Sequence, residues 1–294
     1  MKFAVINRSV IPKNFKKALK KFFSIDFLSR QDIKKNEHIL KNYDFVFLYG
    51  IILYPYRDMC KKHDVNWVFL DKGVDRNRTK EDPDRTLRLS INSYFPTKHY
   101  DKFENNPSRV STITDTLSIR ETEILGSDAP IMFAGSSGKY HLWHDLPPDP
   151  TKYAGKHIRK IKSFCDRPII YKPKPSWKDR VPIRGTKIIK GGGLTKMVDK
   201  KDIDRPYCLM AHGSGILMEA NFLGIPTIAL GESPVKKISR TKVEHMNNLY
   251  VPTLEEKYKI ANSVSCFQWN SSEIESGEMW DYLKPVFEEE LSGS

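Results

Sequence analysis

Tyr207-Cys208-Leu209-Met210-Ala211-His212-Gly213-Ser214-Gly215-Ile216-Leu217-Met218-Glu219-Ala220-Asn221-Phe222-Leu223-Gly224-Ile225-Pro226-Thr227-Ile228-Ala229-Leu230 is the stretch that decides the fold. An apolar run over residues 207–210 stops at a Gly/Ser turn. A helix-compatible segment carrying Glu219 follows, and a Gly-Ile-Pro break leads into a second apolar run. Strand, glycine loop, helix, strand is one parallel β-α-β unit, with its functional edge at the loop. Small residues there leave the N–H groups of a helix N-terminus unhindered, which suits a phosphate. Glu219, about one and a half turns into the helix, is placed to reach ribose hydroxyls. The same glycines also suit a plain tight turn and Glu219 a solvated helix face, and the local pattern leaves both readings open.

Residues 3–6, 45–49 and 67–70 are apolar runs bounded by charged stretches, each separated from the next by room for a helix. A fourth run, Pro130-Ile131-Met132-Phe133-Ala134, ends in Gly135-Ser136-Ser137-Gly138-Lys139. After a Pro-rich joint, residues 147–150, come a basic helical pattern over 151–164 and further runs at 168–172 and 186–189. Strands alternating with helices predict an α/β fold built on parallel sheets. A length of 294 residues favours two domains. The expectation is two Rossmann-like parallel-sheet domains facing a cleft, with the change of domain between residues 120 and 150 and a helix over 273–290 as the tail.

The chain carries a net charge of +13, which has to lie on the surface and makes a polyanionic partner plausible. Cys60, Cys165, Cys208 and Cys266 are too scattered for a zinc site or a disulfide framework, so a reducing cytoplasm is expected. No run approaches the roughly 18 apolar residues of a membrane span, and the N-terminus lacks a secretory core. A cytoplasmic protein without membrane association is the expectation, and a monomer.

The order His212-Gly213-Ser214, then Glu219-Ala220, then Leu223-Gly224-Ile225-Pro226 resembles the donor-binding half of GT-B glycosyltransferases and related sugar-nucleotide enzymes. That resemblance implies a nucleotide-sugar donor, UDP-linked by expectation, with Glu219 holding its ribose and no obligatory cofactor. Met1-Lys2-Phe3-Ala4-Val5-Ile6-Asn7, with Asn14-Phe15-Lys16 after it, and the run ending in Asp71 resemble parts of bacteriophage DNA base β-glucosyltransferases. In that family an Asp at such a strand end deprotonates a hydroxymethylated base. The resemblance implies Asp71 as general base of an inverting transfer and double-stranded DNA with hydroxymethylated pyrimidines as acceptor. Segments 71–92 and 96–97, with Gln268-Trp269, Glu273-Ile274 and Gly277-Glu278-Met279-Trp280, also resemble uncharacterised phage-type proteins. On this reading residues 1–130 form the acceptor domain, 131–275 the donor domain, and 276–294 a helix that crosses back.

The residues themselves fit such chemistry. An acceptor hydroxyl needs a base and the leaving nucleoside diphosphate needs positive charge or N–H donors. Asp71 at the end of a strand supplies the first, or else forms a salt bridge to Lys72 or Arg76. Lys172 and Lys174, held in an extended Tyr171-Lys172-Pro173-Lys174-Pro175 run, and the amides of Gly213, Ser214 and Gly215 supply the second. Gly135-Ser136-Ser137-Gly138-Lys139 is two residues short of a Walker A loop, yet Ser136 and Ser137 can line a phosphate or sugar pocket. Glu232, just after an apolar run, is placed for sugar hydroxyls, and Gly191-Gly192-Gly193 reads as a loop. His141 with His144, Asp199 with Asp204, and Asp82 with Asp84 offer metal-ligating types, but no divalent metal is assigned. Basic residues interleave with aromatics at 16–23, 76–78, 85, 88 and 98–100, a pattern that suits DNA phosphates and a flipped base. Two alternatives remain: a transferase of surface polysaccharide synthesis, since the Gly-Ser-Gly and Glu-Ala pattern also resembles capsule-building enzymes, and a non-catalytic DNA-binding protein on the same fold.

Overall fold

A computed structural model describes residues 1–6, 13–22, 24–74, 86–103, 106–177, 180–189, 193–199 and 203–293. The first elements in chain order are β1 (Phe3–Ile6), α1 (Lys13–Phe22), β2 (Ile25–Leu28), α2 (Arg30–Lys35), β3 (Phe45–Tyr49), α3 (Tyr54–Lys62), β4 (Asn66–Lys72) and β5 (Leu87–Ile91). Next come α4 (Pro107–Thr114), β6 (Ile131–Ala134), α5 (Gly138–Trp143), α6 (Pro150–Lys162), β7 (Ile169–Lys172), β8 (Lys187–Ile188) and α7 (Leu194–Asp199). The chain closes with β9 (Cys208–Ala211), α8 (Gly215–Phe222), β10 (Thr227–Ala229), α9 (Leu254–Ser265), β11 (Gln268–Trp269), α10 (Ser271–Ser276) and α11 (Glu278–Ser292). It divides into two compact units, Met1–Glu104 with Ser263–Ser294, and Asn105–Asn262. Residues 105–130 thus group with the second unit and 263–275 with the first, and the Pro-rich stretch 147–150 lies inside the second.

The first unit holds a six-stranded sheet ordered β11-β5-β4-β3-β1-β2. β1, β2, β3 and β4 are parallel, whereas β5 and β11 add antiparallel to one side. Phe3, Ala4, Val5 and Ile6 are all buried, as are Phe45, Val46, Phe47 and Leu48, because a central parallel strand is covered on both faces. In α1, Phe15, Ala18 and Leu19 are buried at i, i+3 and i+4, which leaves Lys17, Lys20 and Lys21 outside. α11 lays Phe287 against Phe45 at 4.9 Å between ring centroids and Trp280 edge-on to Phe3 at 5.8 Å. The tail expected as one helix is two: Gly277, at φ 96°, ends α10 in a left-handed turn that only glycine adopts cheaply.

The second unit holds a five-stranded sheet ordered β10-β9-β6-β7-β8, parallel throughout. Ala154, Ile158 and Ile161 of α6 share a core with Ile131, Phe133, Ile169, Tyr171 and Met210 of the strands. α6 starts where the sequence marks it: Asp149 accepts from the N–H groups of Thr151 (2.9 Å) and Lys152 (3.0 Å), and Pro150 fills the first turn. From β6 the chain runs out through β7 and β8, then crosses back to β9 and β10. β6 therefore neighbours both β7 and β9, and the topological switch lies between β6 and β9. Open parallel sheets bind ligands just beyond the carboxyl ends of strands at such a switch.

Candidate functional site

The two loops that leave the switch are Gly135-Ser136-Ser137 after β6 and His212-Gly213-Ser214 after β9. Each ends in a serine that caps a helix: Ser137 Oγ accepts from Tyr140 N–H (3.4 Å) and Ser214 Oγ from Ile216 N–H (3.4 Å). Gly215 opens α8 directly behind Ser214. Gly213 is glycine for a steric reason, since a Cβ there would lie 2.1 Å from the carbonyl oxygen of Glu232 and 2.5 Å from Tyr140 Oη. His212 turns back over Gly231, where a Cβ would stand 2.2 Å from the imidazole, and its Nδ1 pairs with Tyr140 Oη at 3.2 Å. Glu232, which follows β10, thereby closes the loop through its backbone. At the far end of α8, Gly224 (φ 80°) makes the turn into β10, and Arg205 donates to its carbonyl oxygen at 3.0 Å.

Lys172 ends β7 and pairs in register with Ala134, one residue before the Gly135 loop. Its side chain is buried; the burial lowers the ammonium pKa, opposed by the negative charge of Glu219. Lys174 lies two residues further, partly exposed, and its carbonyl oxygen accepts from Trp177 N–H at 2.9 Å. Trp177 covers Gly138, where a Cβ would meet its ring at 2.9 Å. Glu219 is engaged: one carboxylate oxygen accepts both the N–H (2.7 Å) and the hydroxyl (2.8 Å) of Thr195 at the start of α7. This couples α8 to the segment that follows Gly193; Gly191 and Gly192 lie outside the described residues. Replacing Glu219 with Ala is expected to cost roughly 1–2 kcal/mol by removing two hydrogen bonds to a helix start, read as a lower thermal midpoint.

No protein-family model matches this chain, and no curated protein matches it in sequence. Among solved structures, the β-Kdo 2,7 transferase of KpsC from Thermosulfurimonas dismutans is similar over 97% of this chain and 100% of that chain, with TM-score 0.54 and 13% identity. The β-Kdo 2,4 transferase of KpsC from the same organism covers 89% of this chain and 90% of its own, with TM-score 0.47 and 12% identity. The first likeness shows a shared fold. This chain has two α/β units and the GT-B glycosyltransferase type of fold, in which the first sheet is mixed and the second parallel.

In the first unit Asp71 sits within β4 rather than beyond its end, because the strand continues to Lys72 and pairs with β5. Its register partner is Arg88, whose Nη2 lies 3.9 Å from Asp71 Oδ2. The expected partners do not take that place: Lys72 stands opposite Leu87 in the ladder, and Arg76 lies outside the described residues. Arg88 is buried against the rings of Phe95 (4.3 Å), Tyr94 (4.9 Å) and Phe69 (5.6 Å), and its Nε and Nη2 have no hydrogen-bond partner among the described residues. Asp71 is thus the counter-ion of a desolvated guanidinium. The sequence groups Arg88 with surface cations; the alternation Leu87-Arg88-Leu89-Ser90-Ile91 is the available sign of a strand.

Other members of that basic set are also built into the fold. His99 and Tyr100 are 1% and 3% exposed, Lys98 pairs with Glu290, and Lys102 with Glu289. Lys20 and Lys16 lie over the Phe27 ring at 5.1 and 6.0 Å. Residues 76–78, 85, Asp82 and Asp84 lie outside the described residues. A different basic face is exposed, formed by Lys152, Lys156, Arg159 and Lys160 of α6 in the second unit.

His141, His144, His157 and His212 gather with Tyr140 and Tyr153 by the two switch loops, with neighbouring ring centroids 4.1 to 5.9 Å apart. Among the described residues no group of three or more His, Cys, Asp or Glu is placed to hold a metal ion. Burial, and to a lesser degree His141, His157 and Lys236, push the His212 pKa from 6.5 down to about 4. The unfolded chain then binds a proton at His212 that the folded one refuses, so stability is complete above about pH 6.5 and falls as pH drops toward 4. A loss of about 3 kcal/mol from this residue by about pH 4 is expected, read as a urea midpoint that falls less steeply with acid in a His212→Gln variant than in the wild type. No described helix is long and apolar enough to cross a membrane, and Cys60, Cys165, Cys208 and Cys266 form no disulfide.

Proposed function

We propose that this protein is a glycosyltransferase that moves a sugar from a nucleotide-sugar, UDP-linked in our reading, to a hydroxyl acceptor with inversion. What supports the reading is that the Ser214-capped start of α8 follows β9 at the switch, while the buried cation Lys172 ends β7, the other neighbour of β6, within electrostatic reach of Glu219. The helix start and Lys172 suit the diphosphate, whose negative charge grows as the glycosidic bond breaks. Ser137, Lys174, His212, Gly213, Gly215 and Glu232 complete the donor site in this proposal. Asp71 takes the proton from the acceptor hydroxyl, and the ion pair with Arg88 fixes its carboxylate.

For the acceptor we propose a hydroxymethylated pyrimidine in double-stranded DNA, supported by the net charge of +13 and the exposed basic face of α6. A saccharide acceptor is the second reading, favoured by likeness along almost the whole chain to a β-Kdo transferase. Mass spectrometry after incubation with UDP-sugars separates the two. Duplex DNA containing cytosine, 5-hydroxymethylcytosine or 5-hydroxymethyluracil and a panel of oligosaccharides serve as acceptors. A sugar mass added to one hydroxymethylated base is the expected result. Addition to an oligosaccharide alone would replace the DNA acceptor, and no transfer and no release of nucleoside diphosphate from any donor would overturn the enzyme reading.

A further inference from the structure

Ser136 and His141 form a hydrogen-bonded pair whose direction is fixed by a third group. The loop after β6 carries Ser136, and the first turn of α5 brings His141 back to it, with Nε2 2.6 Å from Ser136 Oγ. His141 Nδ1 is hydrogen bonded to the carbonyl oxygen of Pro147. A carbonyl oxygen only accepts, so Nδ1 carries a hydrogen. The imidazole is fully buried, edge-on to Tyr153, and burial lowers its pKa against the opposing pull of the Pro147 carbonyl and Asp149. A neutral ring with its hydrogen on Nδ1 has only a lone pair on Nε2. The hydroxyl of Ser136 is therefore the donor of the 2.6 Å bond. Its single hydrogen is spent on His141, so the oxygen of this half-buried residue has only lone pairs left to offer a further partner.

A phosphate oxygen offers lone pairs as well, and two acceptors facing each other gain no hydrogen bond. A sugar hydroxyl brings the missing hydrogen. We infer that Ser136, held as an acceptor by His141 and Pro147, recognises a hydroxyl of the transferred sugar and not the diphosphate of the donor. The inference rests on the nucleotide-sugar reading above and narrows it: the diphosphate falls to the α8 start and Lys172, the sugar to the β6 loop. His141 is a positioning residue in this scheme, acting through the serine.

The test uses the full chain and the nucleotide-sugar that binds it best from a panel of UDP-, GDP- and CMP-sugars, with the matching bare nucleotide as second probe. Ser136→Ala is expected to weaken the nucleotide-sugar about tenfold and to leave the bare nucleotide within about twofold. A donor deoxygenated at the recognised hydroxyl should bind wild type and variant equally. Equal weakening of both probes would make Ser136 a phosphate ligand and overturn the inference, as would no weakening of either. Nitrogen-15 NMR of His141 gives a readout that needs no ligand: the Nδ1–H neutral tautomer at about pH 7 is expected, and an Nε2–H tautomer or a doubly protonated ring would refute it. Failure of the wild type to bind any nucleotide would instead remove the proposed function, while the NMR result would still decide the state of the pair.

Discussion

Asp71→Asn is expected to lower glycosyl transfer by about 10²–10⁴-fold, the usual contribution of a general base, with donor affinity within about twofold of wild type. Asn keeps the shape of the side chain and loses the basic oxygen. It also withdraws the counter-charge from Arg88, a guanidinium boxed by Phe69, Tyr94 and Phe95. Because the Asp71 side chain is 28% exposed and its ion pair with Arg88 spans 3.9 Å, the stability loss should stay at about 1–2 kcal/mol, below the cost of breaking a fully buried pair. Single-turnover transfer, donor titration calorimetry and thermal denaturation on the same sample separate these effects. Turnover retained at wild-type rate would remove Asp71 as the base.

Gly213→Ala should produce a large structural effect at the β9–α8 loop of the second unit. The added methyl would sit 2.1 Å from a backbone carbonyl and 2.5 Å from the phenol oxygen of Tyr140. The Glu232 carbonyl has little room to yield, because Leu230 N–H is bonded to Ala211 O at 2.9 Å and Ser233 is fully buried. Tyr140 is tied to His212. The cost is expected at or above the upper end of the roughly 1–3 kcal/mol typical of overpacking, a fall in melting temperature of several degrees, with loss of nucleotide binding. Gly126→Ala serves as the control: its added methyl would have nothing within 4 Å, so stability should change by less than about 0.5 kcal/mol. Differential scanning calorimetry of both variants reads the contrast.

The second sheet is legible in the sequence because each of its strands is a short apolar run followed by a glycine, serine or proline signal. Residues 207–230 read as strand, glycine loop, helix and strand in order, and the structure adds the Ser214 cap and the closing of the loop by Glu232. The first sheet is less so. β5 pairs antiparallel and carries a buried arginine, so its run does not read as apolar, and β11 is two residues long. The pairing of Asp71 with Arg88 comes from register across a sheet, which local spacing does not encode. His99 and Tyr100 follow a lysine and read as basic surface, yet they are core. Glu219 reads as a site residue from its place on α8. Its engagement by Thr195 depends on a loop contact between segments 24 residues apart.

Calorimetric titration of nucleoside diphosphates and nucleotide-sugars into the wild-type chain and into Lys172→Met reads whether the buried cation at the end of β7 holds the diphosphate of a donor. Methionine keeps much of the length of the buried side chain and removes its charge. At least one nucleoside diphosphate is expected to bind the wild type, and Lys172→Met to weaken it roughly 10- to 100-fold, the value of a charge-assisted contact to phosphate. Binding of no nucleotide, or binding with the same affinity in the variant, would contradict that role of Lys172.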